Sequence, residues 1–291
     1  MKVVLHGLKL KANSLPHIEF LLSQLSVHRV EVWVTERLEK ELRKISSNQL
    51  KLPKIESKVH LNQMDFLISV GGDGTMLDAI CEIGDLEIPI LGLNTGRLGF
   101  LATVATEDIA KSVEYLISGN YQIESRSLIS LLGEDNLFGE LNFGLNEFTI
   151  HKRDNSSMIT VHTYIDGKYL NSYWADGLII ATPTGSTGYS LSCGGPLISP
   201  EAKNFVITPV SPHNLNVRPI IVSDESQISF KIEGRTKKFL VSLDSRSTSI
   251  SSRAELSVQK EKFSAKLVKL PEYHFFDTLR NKLNWGFDMR N

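Results

Sequence analysis

Residues 65–80 read DFLISVGGDGTMLDAI, and this stretch decides how the first part of the chain is interpreted. Its apolar run, residues 66–70, predicts a strand that is buried on both faces, as in a parallel sheet. The apolar spacing after residue 75 predicts a short helix. Between them lies GGDGT, residues 71–75. Because glycines let the backbone approach an anion and a helix start offers unpaired N–H groups, this turn is a candidate phosphate site.

Asp73 is the unexpected member of this turn, since a tight turn requires glycine but no acid. One interpretation is that its carboxylate caps the following helix, a position that Asp favours. The other is that it acts as a general base toward an alcohol that accepts a phosphoryl group. The turn is neither a Walker A motif nor a GxGxxG motif. Spacing alone leaves both interpretations open.

The pattern around this stretch predicts an α/β fold followed by a β-rich one. Strand-like and helix-like segments alternate up to about residue 100, which is typical of a Rossmann-like parallel sheet flanked by helices. After about residue 125, apolar and polar residues alternate singly. Residues 158–175, MITVHTYIDGKYLNSYWA, contain two such runs joined by Asp166-Gly167, a hairpin signal. Residues 226–244, SQISFKIEGRTKKFLVSLD, repeat the pattern and predict a second hairpin.

These patterns predict two domains. The first, α/β, comprises residues 1–102 together with 271–291, and the second, mainly antiparallel β, comprises residues 103–270. The tail EYHFFDTLRNKLNWGF has helical spacing, and we expect this helix to pack back on the first domain.

Composition excludes several classes of protein. The 291 residues are 41% hydrophobic and 22% charged, with a net charge of −1, so neither nucleic acid nor an anionic membrane is an expected partner. Two cysteines suit a reducing compartment and form no disulfide framework. The start MKVVLHGLKLKANS lacks a signal-peptide core, and no run of 18 apolar residues occurs. We therefore expect a cytoplasmic protein, and no zinc-ligand spacing is present.

Two short segments are further candidates. LGLNTGRLGFLA, residues 91–102, is another buried strand that ends in glycines, at the same edge of the predicted sheet. Its Arg97 is either a phosphate ligand or a solvated loop cation. In GLNEFTIHKR, the pair Asn146-Glu147 interrupts a strand-like run. It is either a reader of a nucleotide's hydroxyl and base edges or an ordinary solvent-facing pair.

The most unusual stretch is WADGLIIATPTGSTGYSLSCGGPLISP, residues 174–200. A strand leads into threonines, serines and glycines, which offer hydrogen bonds and close backbone approach to a polar ligand such as a nucleotide. Tyr189 can supply a flat face for a ring, and Asp176 can accept from an amide or hydroxyl. The alternative is a long glycine-rich surface loop. Ser186 is not accompanied by a His–Asp signature, so it is not interpreted as a hydrolase nucleophile.

Taken together, GGDGT, LGLNTGRLGFL, NE, ADGLIIATPTGSTGYSLSCGGP and PVSPHNLNVRPIIV, in this order and spacing, resemble the NAD kinase (ATP:NAD 2′-phosphotransferase) family. The resemblance covers roughly residues 65–245. GGDGT alone also occurs in diacylglycerol-type lipid kinases, whereas the Thr/Ser/Gly block is far more specific. A lipid kinase and a non-catalytic NAD(P)-binding regulator are the competing functions.

The resemblance implies that Asp73 is the base facing the adenosine ribose 2′-hydroxyl of NAD. It implies ATP with Mg²⁺ as phosphoryl donor, and homodimers or homotetramers built through the β-rich, NAD-binding domain. It places Asp176 at the nicotinamide end and lets Ser186 reach a neighbouring subunit's site. The implied NAD-binding residues are Asp73, Gly74, Phe100, Asn146, Glu147, Asp176, Ser186, Thr187, Gly188, Tyr189, Ser192 and Arg246. The implied ATP phosphate contacts are Gly71, Gly72, Gly74, Thr75 and Arg97.

The chain departs from the family pattern at two places. Gly188 stands where many members have Ala, a small change. Asp244-Ser245-Arg246 stands where many members have Asp-Gly-Gln. Arg246 adds a cation with a fork of donors, which either favours a phosphate-bearing ligand or points to solvent.

Overall fold

The computed structural model describes residues 1–45, 51–96, 98–133, 137–153, 157–236 and 238–286. The chain forms two compact units, the first of Met1–Ser125 with Ala265–Asn291 and the second of Arg126–Ser264. The predicted boundaries of the two functional domains, between residues 102 and 103 and between residues 270 and 271, stay a prediction.

The first unit alternates strands and helices. Its strands are β1 (Lys2–Gly7), β2 (Glu31–Val34), β3 (Phe66–Gly71), β4 (Ile90–Asn94) and β5 (Val104–Ala105). Its helices are α1 (Leu15–Val27), α2 (Glu36–Ile45), α3 (Lys58–Leu61), α4 (Asp73–Ile83) and α5 (Ile109–Ser118).

The sheet of the first unit is parallel, with neighbours β2, β1, β3 and β4 in that order. Leu67 and Ile68 of β3 are fully buried, as the continuous apolar run predicts for a strand covered on both faces. The buried stripe of α1, which includes Ile18 and Leu25, belongs to the same core cluster as Ile68. The carboxyl ends of β3 and β4 lie side by side, since Gly71 pairs with Asn94.

The second unit consists mainly of strands. They are β6 (Gln122–Gly133), β7 (Phe143–Gly144), β8 (Glu147–Lys152), β9 (Ile159–Ile165), β10 (Lys168–Ala175), β11 (Gly177–Ala181), β12 (Asn204–Val210), β13 (Ile220–Ser223), β14 (Ile228–Glu233), β15 (Lys238–Leu243), β16 (Arg246–Ser251) and β17 (Leu256–Lys269). Strand β6 begins, and β17 ends, in residues of the first unit. One short helix, α6 (Tyr189–Ser192), follows β11.

Two antiparallel sheets enclose the core of the second unit. One has the order β13, β12, β11, β8, β15, β16, and the other contains β10, β9, β14 and the first half of β17. Side chains from both sheets share one cluster, in which the rings of Phe148 and Phe230 lie 5.8 Å apart. The predicted fold class, α/β followed by antiparallel β, is confirmed.

One of the two predicted hairpins is present. Asp166 and Gly167 join β9 to β10 with φ angles of +50° and +75°, the backbone that a two-residue turn requires. The second hairpin is wrong: β14 pairs with β9 and β17, whereas β15 pairs with β8 and β16. Alternation fixes which side chains are buried, and both strands bury theirs in one core from opposite sheets, but it does not fix the partner strand.

The last helix, α7 (Phe275–Leu283), belongs to the first unit, which confirms that the tail returns there. Just before it, the Tyr273 hydroxyl donates to Asp108 at 2.6 Å. No helix in the described part of the chain is long and apolar enough to cross a membrane.

The core that the two sheets of the second unit share allows a prediction about stability. Phe239 is fully buried in it, so Phe239→Ala should lower the free energy of unfolding by about 3–5 kcal/mol through lost burial and an unfilled cavity. Ile221→Ala, at a half-exposed position of the edge strand β13, should change it by no more than about 0.5 kcal/mol. Urea-induced unfolding measures both, and equal losses would contradict this account of the core.

Candidate active site

The carboxylate of Asp73 is held by the loop that follows β4. Its Oδ2 accepts the N–H of Phe100 at 2.8 Å, and its Oδ1 accepts those of Leu101 and Ala102, each at 3.0 Å. Helix α4 begins at Asp73 with Gly72 at the N-cap position. The capping interpretation is therefore wrong, because the carboxylate binds a distant loop rather than its own helix.

This arrangement leaves Asp73 one position to offer a ligand. A carboxylate has about four lone-pair directions, and three of them take N–H groups of the described residues. Oδ2 accepts only one of these bonds, and Asp73 is partly exposed. A substrate hydroxyl could therefore donate to Oδ2 without breaking the existing contacts.

Gly99 is required by the closeness of the Asp73 carboxylate. A Cβ on Gly99 would lie 1.9 Å from Oδ1 of Asp73. The same loop is braced by Asn94, whose side chain accepts from Gly96 N–H at 2.7 Å and donates to the carbonyl of Ala102 at 3.2 Å. Gly99 is not among the predicted site residues, although its place directly before Phe100, after a strand that ends in glycines, was a usable signal.

The predicted phosphate-binding residues divide into two kinds. A Cβ on Gly71 would lie 2.2 Å from Oγ1 of Thr75, so these two residues pack on each other and Thr75 is buried. A Cβ on Gly72 or Gly74 would meet no described atom within 4 Å, so these glycines border open space. Helix α4 starts here, and its first hydrogen bonds run from the N–H groups of Thr75 and Met76 to the Gly72 carbonyl, so the N–H groups of Asp73 and Gly74 precede them. Arg97 lies outside the described residues.

Asp244 holds a second turn, in the second unit, in the same way. Its Oδ2 accepts the N–H of Leu145 at 2.9 Å, and its Oδ1 accepts those of Asn146 at 2.7 Å and Glu147 at 3.2 Å. Asp244 itself adopts a φ of +49° in the tight turn between β15 and β16. It therefore fixes the backbone of the predicted Asn146-Glu147 pair, a role that sequence analysis left open.

Arg246 follows in β16 and does not simply point to solvent. Its guanidinium donates to the carbonyls of Leu141 and Phe143 and lies 5.9 Å from the centre of the Phe143 ring. Its part in NAD binding stays a prediction.

The Thr/Ser/Gly block supports the Asn146-Glu147 pair from the other side. Thr182 donates its N–H to the carbonyl of Asn146 at 2.8 Å and its hydroxyl to the carbonyl of Leu145. A Cβ on Gly185 would lie 2.0 Å from the Asn146 carbonyl oxygen, so only glycine fits. Thr182 and Gly185 are structural residues of this site that sequence analysis did not name.

Glu147 is a mostly buried carboxyl group beside Asp244. Burial, and then the charge of Asp244, raise the pKa of Glu147 from 4.5 to about 7, against a hydrogen bond from the Tyr189 N–H. Burial also raises the pKa of Asp244, but three N–H donors and Arg246 oppose it. We therefore assign the proton of this pair to Glu147. Its Oε2 is buried and has no hydrogen-bond partner among the described residues.

The aromatic face predicted at Tyr189 is present. The ring is 39% exposed and stacks on His151, with centres 5.5 Å apart and planes 22° from parallel. Burial lowers the pKa of His151, although the nearby Asp176 opposes the change, so the neutral ring is favoured. Asp176 forms an ion pair with Lys152, with 2.6 Å between Oδ1 and Nζ. His151 and Lys152 were quoted in the sequence but given no role.

The remaining predicted residues differ in accessibility. Ser186 is fully buried, and its hydroxyl donates to the carbonyl of Pro183 and accepts the N–H of Ile198, so within this chain it stabilises the block. Thr187 is partly exposed and Ser192 is exposed. A Cβ on Gly188 would lie 3.2 Å from Oε2 of Glu147. The described residues contain no group of three or more His, Cys, Asp or Glu placed to hold a metal.

Two family models match this chain, one in each part of the sequence. The model of the ATP-NAD kinase N-terminal domain matches residues 9–121, and that of the C-terminal domain matches residues 145–270. The NAD kinases of Cytophaga hutchinsonii and Flavobacterium psychrophilum are 53% and 45% identical to this chain over the full length of both. The chain belongs to the ATP-NAD kinase family.

Solved structures agree with this family's fold. The NAD kinase of Archaeoglobus fulgidus in complex with ATP is 26% identical, covers 98% of this chain and 99% of its own, and superposes with a TM-score of 0.75. Yeast NADH kinase in complex with NADH is 23% identical, covers 99% of this chain and 89% of its own, and has a TM-score of 0.86, which shows the same fold. The predicted NAD kinase resemblance is confirmed, and with it the prediction of an enzyme.

The Gly99 contact predicts a loss of activity without loss of fold. Gly99→Ala must displace the Asp73 carboxylate by more than 1 Å, and a misplacement of that size costs about 10²-fold in turnover. Gly96→Ala is the matched control in the same loop, because its Cβ would stay 3.8 Å from the nearest described atom, Oδ1 of Asn94. Formation of NADP measures both, and equal activities would contradict the role of Gly99.

The raised pKa of Glu147 predicts a stability that depends on pH. The folded chain keeps the Glu147 proton up to a pH of about 7, whereas the unfolded chain releases it near 4.5, so stability falls as pH rises between these values. Relative to the parent, the free energy of unfolding of Glu147→Gln should rise by roughly 2.5 kcal/mol between pH 5 and pH 8. Glu201→Gln, at an exposed position, should show the same difference at both pH values. Urea-induced unfolding at both pH values measures the free energy of unfolding of each variant and of the parent.

Proposed function

We propose that this protein transfers the γ-phosphoryl group of ATP to the 2′-hydroxyl of the adenosine ribose of NAD and so forms NADP. This proposal rests on the geometry of Asp73. Three consecutive N–H groups fix its carboxylate, and Oδ2 retains one acceptor position. Open space beside Gly72 and Gly74 provides room for phosphates next to it.

Phosphoryl transfer needs alignment, charge neutralisation and a base more than it needs covalent chemistry from the protein. Asp73 accepts the hydrogen bond of the 2′-hydroxyl and orients its oxygen toward the γ-phosphorus. The new O–P bond forms as the bond from phosphorus to the leaving oxygen of ADP breaks, and the hydroxyl proton passes to Asp73 late in this step.

The second unit supplies the predicted dinucleotide contacts. We assign Asn146 and Glu147 to the adenine side, where the unpartnered Oε2 of Glu147 would gain a ligand donor. Tyr189 stacks on a ring with the exposed part of its face, and Asp176 lies at the nicotinamide end. Thr187, Gly188 and Ser192 line the same pocket. As the resemblance to the family implies, Ser186 and Arg246 also contact NAD.

The phosphoryl donor in this proposal is ATP with Mg²⁺. Mg²⁺ is usually held by one or two carboxylates together with substrate phosphates, so it enters as part of the ATP complex rather than as a resident ion. The open space beside Gly72 and Gly74 and the N–H groups of Asp73 and Gly74 fit the phosphates, because these two amides precede the first hydrogen bonds of α4. Gly71 and Thr75 shape the turn, and Arg97 adds positive charge.

The comparisons support this assignment. Relatives identical at up to 53% over their whole length are named NAD kinases, and the related structures hold NADH and ATP. We further propose a cytoplasmic homodimer or homotetramer that supplies NADP. A lipid kinase is not favoured, because the hydroxyl-rich residues 182–192 do not suit an apolar acceptor, and a non-catalytic regulator would not need Asp73 placed as it is.

Asp73→Asn tests the proposal. The variant should lose about 10²- to 10⁴-fold in turnover, because the amide cannot accept the hydroxyl proton as a base. NAD should still bind, which calorimetry checks. Asp85→Asn, at an exposed site of the same unit, should retain full activity. Near-normal NADP formation by Asp73→Asn would refute the assignment of the base.

A further inference from the structure

Lys152 and Asp176 form a paired charge at one edge of the predicted dinucleotide pocket. Lys152 ends β8, and Asp176 occupies the single position between β10 and β11. Their side chains lie 2.6 Å apart, with 25% and 33% of their surfaces exposed. The main chains are joined as well, because the Lys152 N–H donates to the Asp176 carbonyl at 3.0 Å. The ammonium group is therefore held against the carboxylate.

Two ionisable rings of the described residues sense Asp176, and neither is favoured as a cation. His151 and Tyr189 both sense the Asp176 carboxylate. Burial lowers the pKa of His151 and raises the pKa of Tyr189, so both rings are favoured in their neutral forms. Among the described residues, Lys152 is the cation paired with Asp176. The pair thus presents a dipole rather than a net negative charge.

We propose that Lys152 determines how the enzyme discriminates between oxidised and reduced dinucleotide. The oxidised nicotinamide ring carries a positive charge and the reduced ring carries none. An unpaired carboxylate beside the ring would favour the oxidised form by direct attraction. With Lys152 bound to Asp176 that attraction is largely cancelled, so both redox forms are accepted. The inference rests on the proposed function, in which Asp176 lies at the nicotinamide end.

Removal of the lysine charge should therefore increase the preference for NAD over NADH. Lys152→Met keeps the length of the side chain and leaves Asp176 uncompensated. We expect the ratio of kcat/KM for NAD to that for NADH to rise about 5- to 10-fold, a size suited to a partly exposed charge. The change should appear in KM with kcat unchanged. The nicotinamide ring is remote from the transferred phosphate, so its interactions are equally strong in the ground state and in the transition state.

The experiment compares four enzymes and two controls. Each enzyme preparation is assayed with NAD and with NADH, so the concentration of active protein cancels from the ratio. The expected order of the ratio is Lys152→Met highest, then the parent and the Lys152→Met/Asp176→Asn double variant together, then Asp176→Asn lowest, where the lysine is unpaired. Lys152→Arg keeps the charge, and Lys168→Met removes an exposed lysine from β10; both should match the parent within about twofold. The differences should shrink at high salt.

An unchanged ratio in Lys152→Met, or the same shift with and without Asp176, would overturn the inference. The dissociation constants of NAD and NADH, measured by calorimetry on the same variants, test it independently of turnover. A parent enzyme that phosphorylates neither dinucleotide would refute the proposed function, and the ratio of dissociation constants would still decide the role of Lys152.

Discussion

A single interaction, an aspartate carboxylate that accepts three consecutive backbone N–H groups, organises both halves of this protein. Asp73 binds residues 100–102 in the first unit, and Asp244 binds residues 145–147 in the second. N–H groups in a partly buried turn would otherwise lack partners, which costs free energy. One charged side chain satisfies all three, so each loop takes one defined shape at the place where a ligand is expected.

The glycines of the site follow from these two carboxylates and from the backbone they fix. Gly99 admits the Asp73 carboxylate, and Gly185 lies on the Asn146 peptide. A Cβ on Gly144 would lie only 3.1 Å from Oδ1 of Asp244. In each case the missing Cβ creates room for another part of the protein. Gly72 and Gly74 are different, because the space beside them is open to a ligand. The glycine-rich segments therefore combine packing and binding, and coordinates are needed to separate the two.

This separation explains how much the sequence could predict. Apolar residues that recur with a period of 2 or of 3.6 residues identified the parallel and antiparallel parts of the fold, because each period reports which face of a strand or helix is buried. They could not show that β14 and β15 lie in different sheets, since alternation carries no information about the partner strand. Asp73 was predictable because it lies inside its motif. Asp244 was not, because it acts on residues nearly a hundred positions earlier in the chain, and no local pattern encodes such a contact.

The second unit neutralises its two candidate ligand-binding carboxyl groups in different ways, and the reason is physical. Burial and the neighbouring Asp244 raise the pKa of Glu147 to about 7, which favours its protonated form over that of an ordinary carboxyl group. Asp176 is instead paired with the ammonium group of Lys152. A dinucleotide carries two negative phosphates, and uncompensated carboxylates near it would repel them. A protonated acid still offers a donor and an acceptor, and a paired one still offers an acceptor. The pocket thus keeps its hydrogen-bonding capacity while it limits its negative charge, which suits an anionic substrate.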